Sequence, residues 1–200
     1  MKIDYFVVGE IQTNCYVVYN EESKDCFLVD PGDKDRFLSE FLKKNQLNVK
    51  YIILTHGHGD HTSGIPAIKT DFPDVKLIAN RNERDFLYNR SKSFGTGGIK
   101  ADIEVKDGEE MDICGAHLKF ISTPGHTPGG MCILMDKTLF CGDTLFFGSV
   151  GRTDLPGGDY DQLMDSIKNK LFTLPDDTIC YPGHMRETNI AFEKEYNPFV

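Results

Sequence analysis

The sequence predicts a four-layer αββα sandwich, two sheets packed face to face with helices on the outer surfaces. Short apolar strand-like segments dominate both halves of the 200-residue chain, and each half also contributes helices. No low-complexity linker or short repeat divides the halves, so the residues 1–200 are expected to form one domain.

Three strands come first, Lys2–Val8, Asn14–Tyr19 and Asp25–Val29, and the third runs into the turn residues Asp30-Pro31-Gly32. Asp33 is placed to cap a helix from Lys34 to about Lys44, with Phe37, Leu38, Phe41 and Leu42 forming its buried face. Val49–Leu54 is a β-branched apolar run, the pattern of a strand covered on both sides. A short helix over Gly64–Lys69, a strand Val75–Ala79 and a helix Asn82–Asn89 follow, then a polar Gly-rich loop over Ser91–Gly98. The pattern returns to β at Ile103–Val105, Met111–Ile113, Leu118–Thr123, Met131–Met135 and Thr138–Cys141, with Asp136-Lys137 suited to a tight hairpin. Leu163, Ile167 and Leu171 stripe a helix over Tyr160–Phe172; a strand Thr178–Tyr181 and a terminal helix Asn189–Tyr196 complete the chain.

Composition narrows the class of function. With 40 % hydrophobic and 26 % charged residues, the chain reads as a soluble globular protein, and its longest apolar runs are far too short to span a bilayer. A net charge of −9, with no Lys/Arg block longer than Lys43-Lys44, argues against a phosphate-backbone-binding surface while leaving room for a local basic pocket, so neither nucleic acid nor membrane is an expected partner. The N-terminus has no apolar signal segment, which points to the cytoplasm. The six cysteines have irregular spacing and no C-x-x-C pair, as expected of reduced, buried thiols.

The chemistry sits in four Gly-flanked loops, each just beyond a strand: Thr55-His56-Gly57-His58-Gly59-Asp60-His61, Pro124-Gly125-His126-Thr127, Cys141-Gly142-Asp143-Thr144 and Tyr181-Pro182-Gly183-His184. Imidazole and carboxylate donors without thiolate suit Zn²⁺, Fe or Mn²⁺ in an open site rather than a closed structural zinc knot. His56 and His58, one residue apart, face one side of an extended loop, whereas Asp60 and His61 turn toward a second position. His56, His58, Asp60, His61, His126, Asp143 and His184 are more donors than one tetrahedral ion needs, and they predict two divalent ions, zinc first, sharing a carboxylate. His117 has no such context and reads as a strand-edge residue, Cys141 as core, and Asp30 and Asn14 as loop supports.

These motifs, T-H-G-H-G-D-H, P-G-H-T-P-G-G, C-G-D-T-L-F and Y-P-G-H, resemble those of the metallo-β-lactamase superfamily, in matching order along nearly the whole chain. Within it, Gly148–Asp159 and Asn197-Pro198-Phe199 are similar to the short single-domain relatives of glyoxalase II, the hydroxyacylglutathione hydrolases, which lack the C-terminal helical domain of the full-length enzymes. The resemblance implies that His56, His58 and His126 hold one ion, Asp60, His61 and His184 the other, and that Asp143 bridges them.

The expected chemistry is hydrolysis of a small-molecule thioester such as S-lactoylglutathione, with Asp60 as the catalytic group that orients a bridging hydroxide. A thiolate of pKa about 8.5 leaves without obligatory protonation. Two other readings compete. Persulfide dioxygenases share the scaffold and a similar G-R-T-D segment but use one iron on a His/His/Asp triad, and a metal-binding sensor would use the donors without turnover. Candidate substrate contacts are Arg152, set against an alternative Arg152–Asp154 brace, Phe146, and the Met185-Arg186 pair that stands where the family often has Gly-Pro.

Overall fold

A computed structural model describes residues 1–95 and 97–200. The first sheet contains β1 (Lys2–Val8), β2 (Thr13–Tyr19), β3 (Asp25–Val29), then, after helix α1 (Arg36–Lys44), β4 (Asn48–Ile53). Two helices, α2 (Gly59–Thr62) and α3 (Ile65–Asp71), precede β5 (Lys76–Asn80); a 3₁₀ turn (Arg81–Glu83), α4 (Arg84–Tyr88) and α5 (Arg90–Ser93) precede β6 (Ile103–Val105). The order is β1-β2-β3-β4-β5-β6, antiparallel from β1 to β3 and parallel from β3 to β6.

The second sheet is built from β7 (Glu110–Ile113), β8 (Ala116–Ser122), β9 (Met131–Met135) and β10 (Thr138–Gly142). A small ribbon, β11 (Leu145–Phe146) with β12 (Ser149–Val150), then leads to α6 (Tyr160–Asn169), β13 (Ile179–Pro182), β14 (Thr188–Asn189) and α7 (Ile190–Tyr196). The order is β14-β13-β10-β9-β8-β7, with β10 and β13 parallel.

Strand alternation sorts the core into three layers. Phe27, Val29, Ile53 and Ile78 point inward to meet Phe120, Ile133 and Phe140 of the second sheet. Their neighbours Leu28, Ile52 and Leu77 point the other way, under Leu38, Leu42, Ile65 and Ile68 of α1 and α3. Leu163, Ile167 and Ile190 of α6 and α7 cover Cys132, Leu139 and Cys180 on the outer face of the second sheet. This is the expected αββα architecture, and the period of two along doubly buried strands produces it.

Some local expectations differ and others hold. The α1 cap is Asp35, whose Oδ1 accepts from Leu38 N at 2.7 Å, while Asp33 accepts from its neighbour Lys34 N. Phe37 is exposed rather than buried: the stripe that packs is Leu38 and Leu42, with Phe41 against Phe6, and only the Arg36 guanidinium lies over the Phe37 ring. The helix expected over Asn82–Asn89 is a 3₁₀ turn followed by α4; Asn80 starts the turn by accepting from Asn82 N, and Asn89 accepts from Ser91 N to start α5. The second of these turns, α5, lies inside the expected Ser91–Gly98 loop, of which Thr96 is outside the described residues. The hairpin between β9 and β10 turns at Asp136, which adopts a φ of 52°. All six cysteines are free thiols, and five are buried, Cys141 among them. Among the described residues no helix is long and apolar enough to cross a membrane.

Candidate metal centre

The C-terminal ends of β4, β8, β10 and β13 open at one rim of the sandwich, so the four loops that follow them meet. His56 and His58 leave β4 in extended backbone, with His58 as the residue preceding α2. One turn of α2 then swings Asp60 and His61 to a second position. His126 follows β8, Asp143 follows β10 and His184 follows β13. His58 Nδ1 faces His126 Nε2 at 2.9 Å, and His56 joins them to form one three-nitrogen group. Asp60, His61 and His184 form a second group, with His184 Nε2 3.3 Å and His61 Nε2 3.5 Å from Asp60 Oδ2. Asp143 lies between the groups, its Oδ1 3.3 Å from His61 Nε2 and its Oδ2 3.5 Å from His126 Nε2 and 3.6 Å from His184 Nε2.

Four of the five histidines are held by one ring nitrogen and present the other. His56 Nδ1 meets Thr55 Oγ1 at 3.1 Å, His61 Nδ1 meets Asp30 Oδ2 at 2.9 Å, His126 Nδ1 meets the Arg152 carbonyl at 2.7 Å, and His184 Nδ1 meets the Gln12 carbonyl at 3.3 Å. Anchoring one nitrogen in this way fixes the ring and aims the other, as metal-ligating imidazoles require. His56 Nε2, His58 Nε2, His61 Nε2 and Asp143 Oδ1 are buried without a hydrogen-bond partner. Such orphaned atoms are costly in a folded protein unless a ligand satisfies them, and the donor set therefore fits divalent cations.

The electrostatics divide the groups. Burial lowers the pKa of His56, and of His58 to about 4, with neighbouring imidazoles adding to the effect, so both are neutral donors at pH 7. Burial opposes charge on His61 and His184 as well, but Asp143, with Asp30 or Asp60, outweighs it and raises both, His184 to about 9. Burial likewise opposes charge on Asp60, yet its contacts with His184 and His61 hold it down to about 2.

Two supports surround the donors. Asp30 is 1 % exposed at a φ of 51°; its Oδ1 accepts from Thr55 N at 2.8 Å, and its Oδ2 from Thr55 Oγ1 at 2.6 Å. Asn14 Nδ2 donates to the Pro182 and Met185 carbonyls at 3.0 and 2.9 Å, tying the His184 loop to β2. Both are the loop supports expected from the sequence. Glu83 is the one sequence reasoning missed. Its buried carboxylate accepts from Gly57 N at 2.8 Å and Gly129 N at 2.7 Å, clamping the His56–His58 loop to the His126 loop. Nothing in Asn82-Glu83-Arg84 distinguishes it from a solvated helix residue; only the fold reveals it.

His58, Asp60, His126, Asp143 and His184 form the floor of an open cavity of about 820 Å³. Arg152 lines it, but its fork is engaged by Asp154, Nε to Oδ1 and NH2 to Oδ2 at 2.7 Å each. Phe146 lines it with its edge toward His184, at a centroid distance of 6.1 Å, and Met185 stands at the rim. Arg186 is not in this cavity. It stacks on the Phe147 ring at 3.6 Å and lines an adjoining hollow of about 520 Å³ that shares Met185 as a wall. His117 lies away on β8, exposed and paired with Asp112.

This arrangement, two donor groups at the strand ends of an αββα sandwich, belongs to a known class. The metallo-beta-lactamase superfamily profile matches residues 8–184, and the chain is a member of that superfamily, whose domains bind metal ions. It is 35 % identical over 210 residues to the hydroxyacylglutathione hydrolase GloC of Haemophilus influenzae, covering 100 % of this chain and 98 % of that protein. Among solved structures, the BLEG-1 B3 metallo-beta-lactamase is similar with a TM-score of 0.93 at 35 % identity, covering 99 % of both chains. ETHE1 from Myxococcus xanthus is similar with a TM-score of 0.83 at 29 % identity, covering 99 % of this chain and 84 % of that one.

Proposed function

We propose that the protein is a dinuclear metal-dependent hydrolase of thioesters. The observation that carries this reading is the pair of three-donor groups on either side of one carboxylate, Asp143, with three buried donor atoms, His56 Nε2, His61 Nε2 and Asp143 Oδ1, left without hydrogen-bond partners. His56, His58 and His126 would hold one ion, Asp60, His61 and His184 the other, and Asp143 would be shared. When bound, such cations supply water acidified towards neutral pH as nucleophile and polarise a carbonyl as Lewis acids. Zinc suits the donor set, and iron and manganese suit it as well.

The chain's own groups do the rest. Asp60, ionised at neutral pH and steadied by a hydrogen bond from Thr13 Oγ1 at 3.2 Å, lines the cavity and can accept a proton-donating contact from the nucleophile, orienting its lone pair. The Arg152 carbonyl and Asp30 keep His126 and His61 from turning. Among the described residues the cavity is lined by neither Lys nor Tyr, and its histidines and aspartates, His58, His126, His184, Asp60 and Asp143, are all assigned as donors on this reading, which leaves no free side chain to protonate a poor leaving group. That favours a thiolate, which departs unprotonated, over an alkoxide or amide nitrogen. The similarity to GloC, a hydroxyacylglutathione hydrolase, supports the same reaction.

The competing reading, a mononuclear iron persulfide dioxygenase, needs a single His/His/Asp triad and leaves the Asp60–His61–His184 group without a role. Turnover separates the two. Purified, metal-analysed protein is expected to release thiol from S-D-lactoylglutathione with about two ions per chain. Oxygen uptake on glutathione persulfide with one iron per chain, and no thiol release, would replace this reading with the dioxygenase.

A further inference from the structure

The thioester reading leaves open which thiol the cavity admits, and its wall answers in polarity. Above the donor floor, the apolar part of the wall and rim is Ile11, Phe94, Phe146, Val150, Leu155 and Met185, beside the polar Gln12, Ser93, Ser149 and Arg152. Ile11, Phe94 and Met185 are 66 %, 60 % and 60 % exposed, so three large apolar side chains face solvent around one opening. Exposed apolar groups gathered around a concave site mark a binding surface rather than ordinary surface scatter.

Two of the three hold this place at a conformational cost. Phe94 has a φ of 54° and Met185 a φ of 68°, the left-handed region in which a bulky side chain is strained and glycine is at ease. Neither belongs to a buried apolar cluster that would offset the strain. Phe94 instead stands beside His58, at a ring-centroid distance of 6.2 Å, while Phe146 stands beside His184. The two rings flank the two donor groups.

Charge is as informative. Glutathione carries two carboxylates and an ammonium group, and its recognition calls for unengaged cations or paired acceptors. Among the described residues Arg152 is the only Arg or Lys lining the cavity, and its charge is matched by Asp154, which accepts from Nε and NH2. Arg186 faces the adjoining hollow across Met185.

We propose, resting on the thioester reading, that the cavity selects uncharged thioesters of apolar thiols over glutathione thioesters of the same acyl group. Phe94 and Met185 are the specificity-determining residues, with Ile11 completing the rim. The test compares the lactoyl thioester of 2-phenylethanethiol with S-D-lactoylglutathione on the metal-loaded protein, each rate divided by its rate of hydroxide hydrolysis. The expected result is a kcat/KM at least tenfold higher for the phenylethyl thioester. Phe94→Gly and Met185→Gly, which suit the left-handed backbone and should fold at least as well, are expected to lower that advantage at least fivefold, through KM rather than kcat. Equal turnover, or a preference for the glutathione thioester that Arg186→Ala abolishes, would overturn the inference and place an anionic thiol in the adjoining hollow. Hydrolysis of neither thioester would remove the thioester reading itself, and the inference with it.

Discussion

At the scale of single residues the site depends on two carboxylates with opposite burdens. Asp143 faces both donor groups, within 3.6 Å of three imidazoles. Asp143→Ala should therefore abolish activity and lower metal content to about one ion per chain or less, read by elemental analysis of the purified variant; normal turnover would sink the dinuclear assignment. Glu83 carries no such role in the chemistry but holds two loops together through Gly57 N and Gly129 N. Burial raises its pKa from 4.5 to about 7, against the opposing pull of those two N–H groups. Because the folded value is the higher one, the folded state binds the extra proton. Stability from Glu83 is fully present below pH 4.5 and is lost as pH rises through 7. The difference in unfolding free energy between wild type and Glu83→Gln should fall by roughly 3 kcal/mol between pH 4.5 and 7.5. Urea titrations of both proteins across that range test it, and a difference that stays flat would show that Glu83 does not titrate there.

At the scale of elements, legibility followed how much of the information was local. The strand expected over Val49–Leu54 is found as Asn48–Ile53, legible because Ile52 and Ile53 are buried on opposite faces, and the four candidate donor loops were legible as loops because each is a short Gly-flanked motif at a strand end. Helix α2 was not: four residues, Gly59-Asp60-His61-Thr62, carry no apolar period, yet their turn separates the two donor groups. The two-residue strands are too short to show a period: β11 and β12 form a hairpin across Phe147-Gly148, and β14 is set by its pairing with β13. Glu83 and the Phe94 rim were equally invisible, since a clamp and a cavity wall exist only once distant segments meet. The loop after β13 shows how tight that meeting is. A Cβ at Gly183 would lie 2.3 Å from Asp143 Oδ1 and 2.7 Å from His61 Cε1. Gly183→Ala must move a donor or the backbone, at a cost of about 1–3 kcal/mol. It should lower metal occupancy at least twofold while leaving the far-UV circular dichroism unchanged; full occupancy with wild-type turnover would show that the loop yields freely.

At the scale of the whole molecule the donors and the core are separable. The three apolar layers are built from strand and helix residues, whereas the seven donors, four of them buried, sit at the rim beyond the ends of β4, β8, β10 and β13. The donor loops are joined across the sheets by hydrogen bonds of their own, Asn14 N to the Gly183 carbonyl at 2.7 Å and Met131 N to the Thr55 carbonyl at 2.9 Å. Without ions, His61 and His184 take up the role of counter-charge to Asp30, Asp60 and Asp143, so the rim is not left as bare like charges. An ion that binds only the folded state adds about 2.7 kcal/mol at a hundred times its Kd. In a chain of this size that corresponds to roughly 5–10 °C in Tm. Chelation should therefore lower Tm by about that amount, restored on adding Zn²⁺, while the far-UV circular dichroism of the metal-free protein keeps its native shape at 25 °C. Loss of that signal on chelation would mean that the ions build the fold rather than equip it, and the open, catalytic character assigned to the centre would have to give way to a structural one.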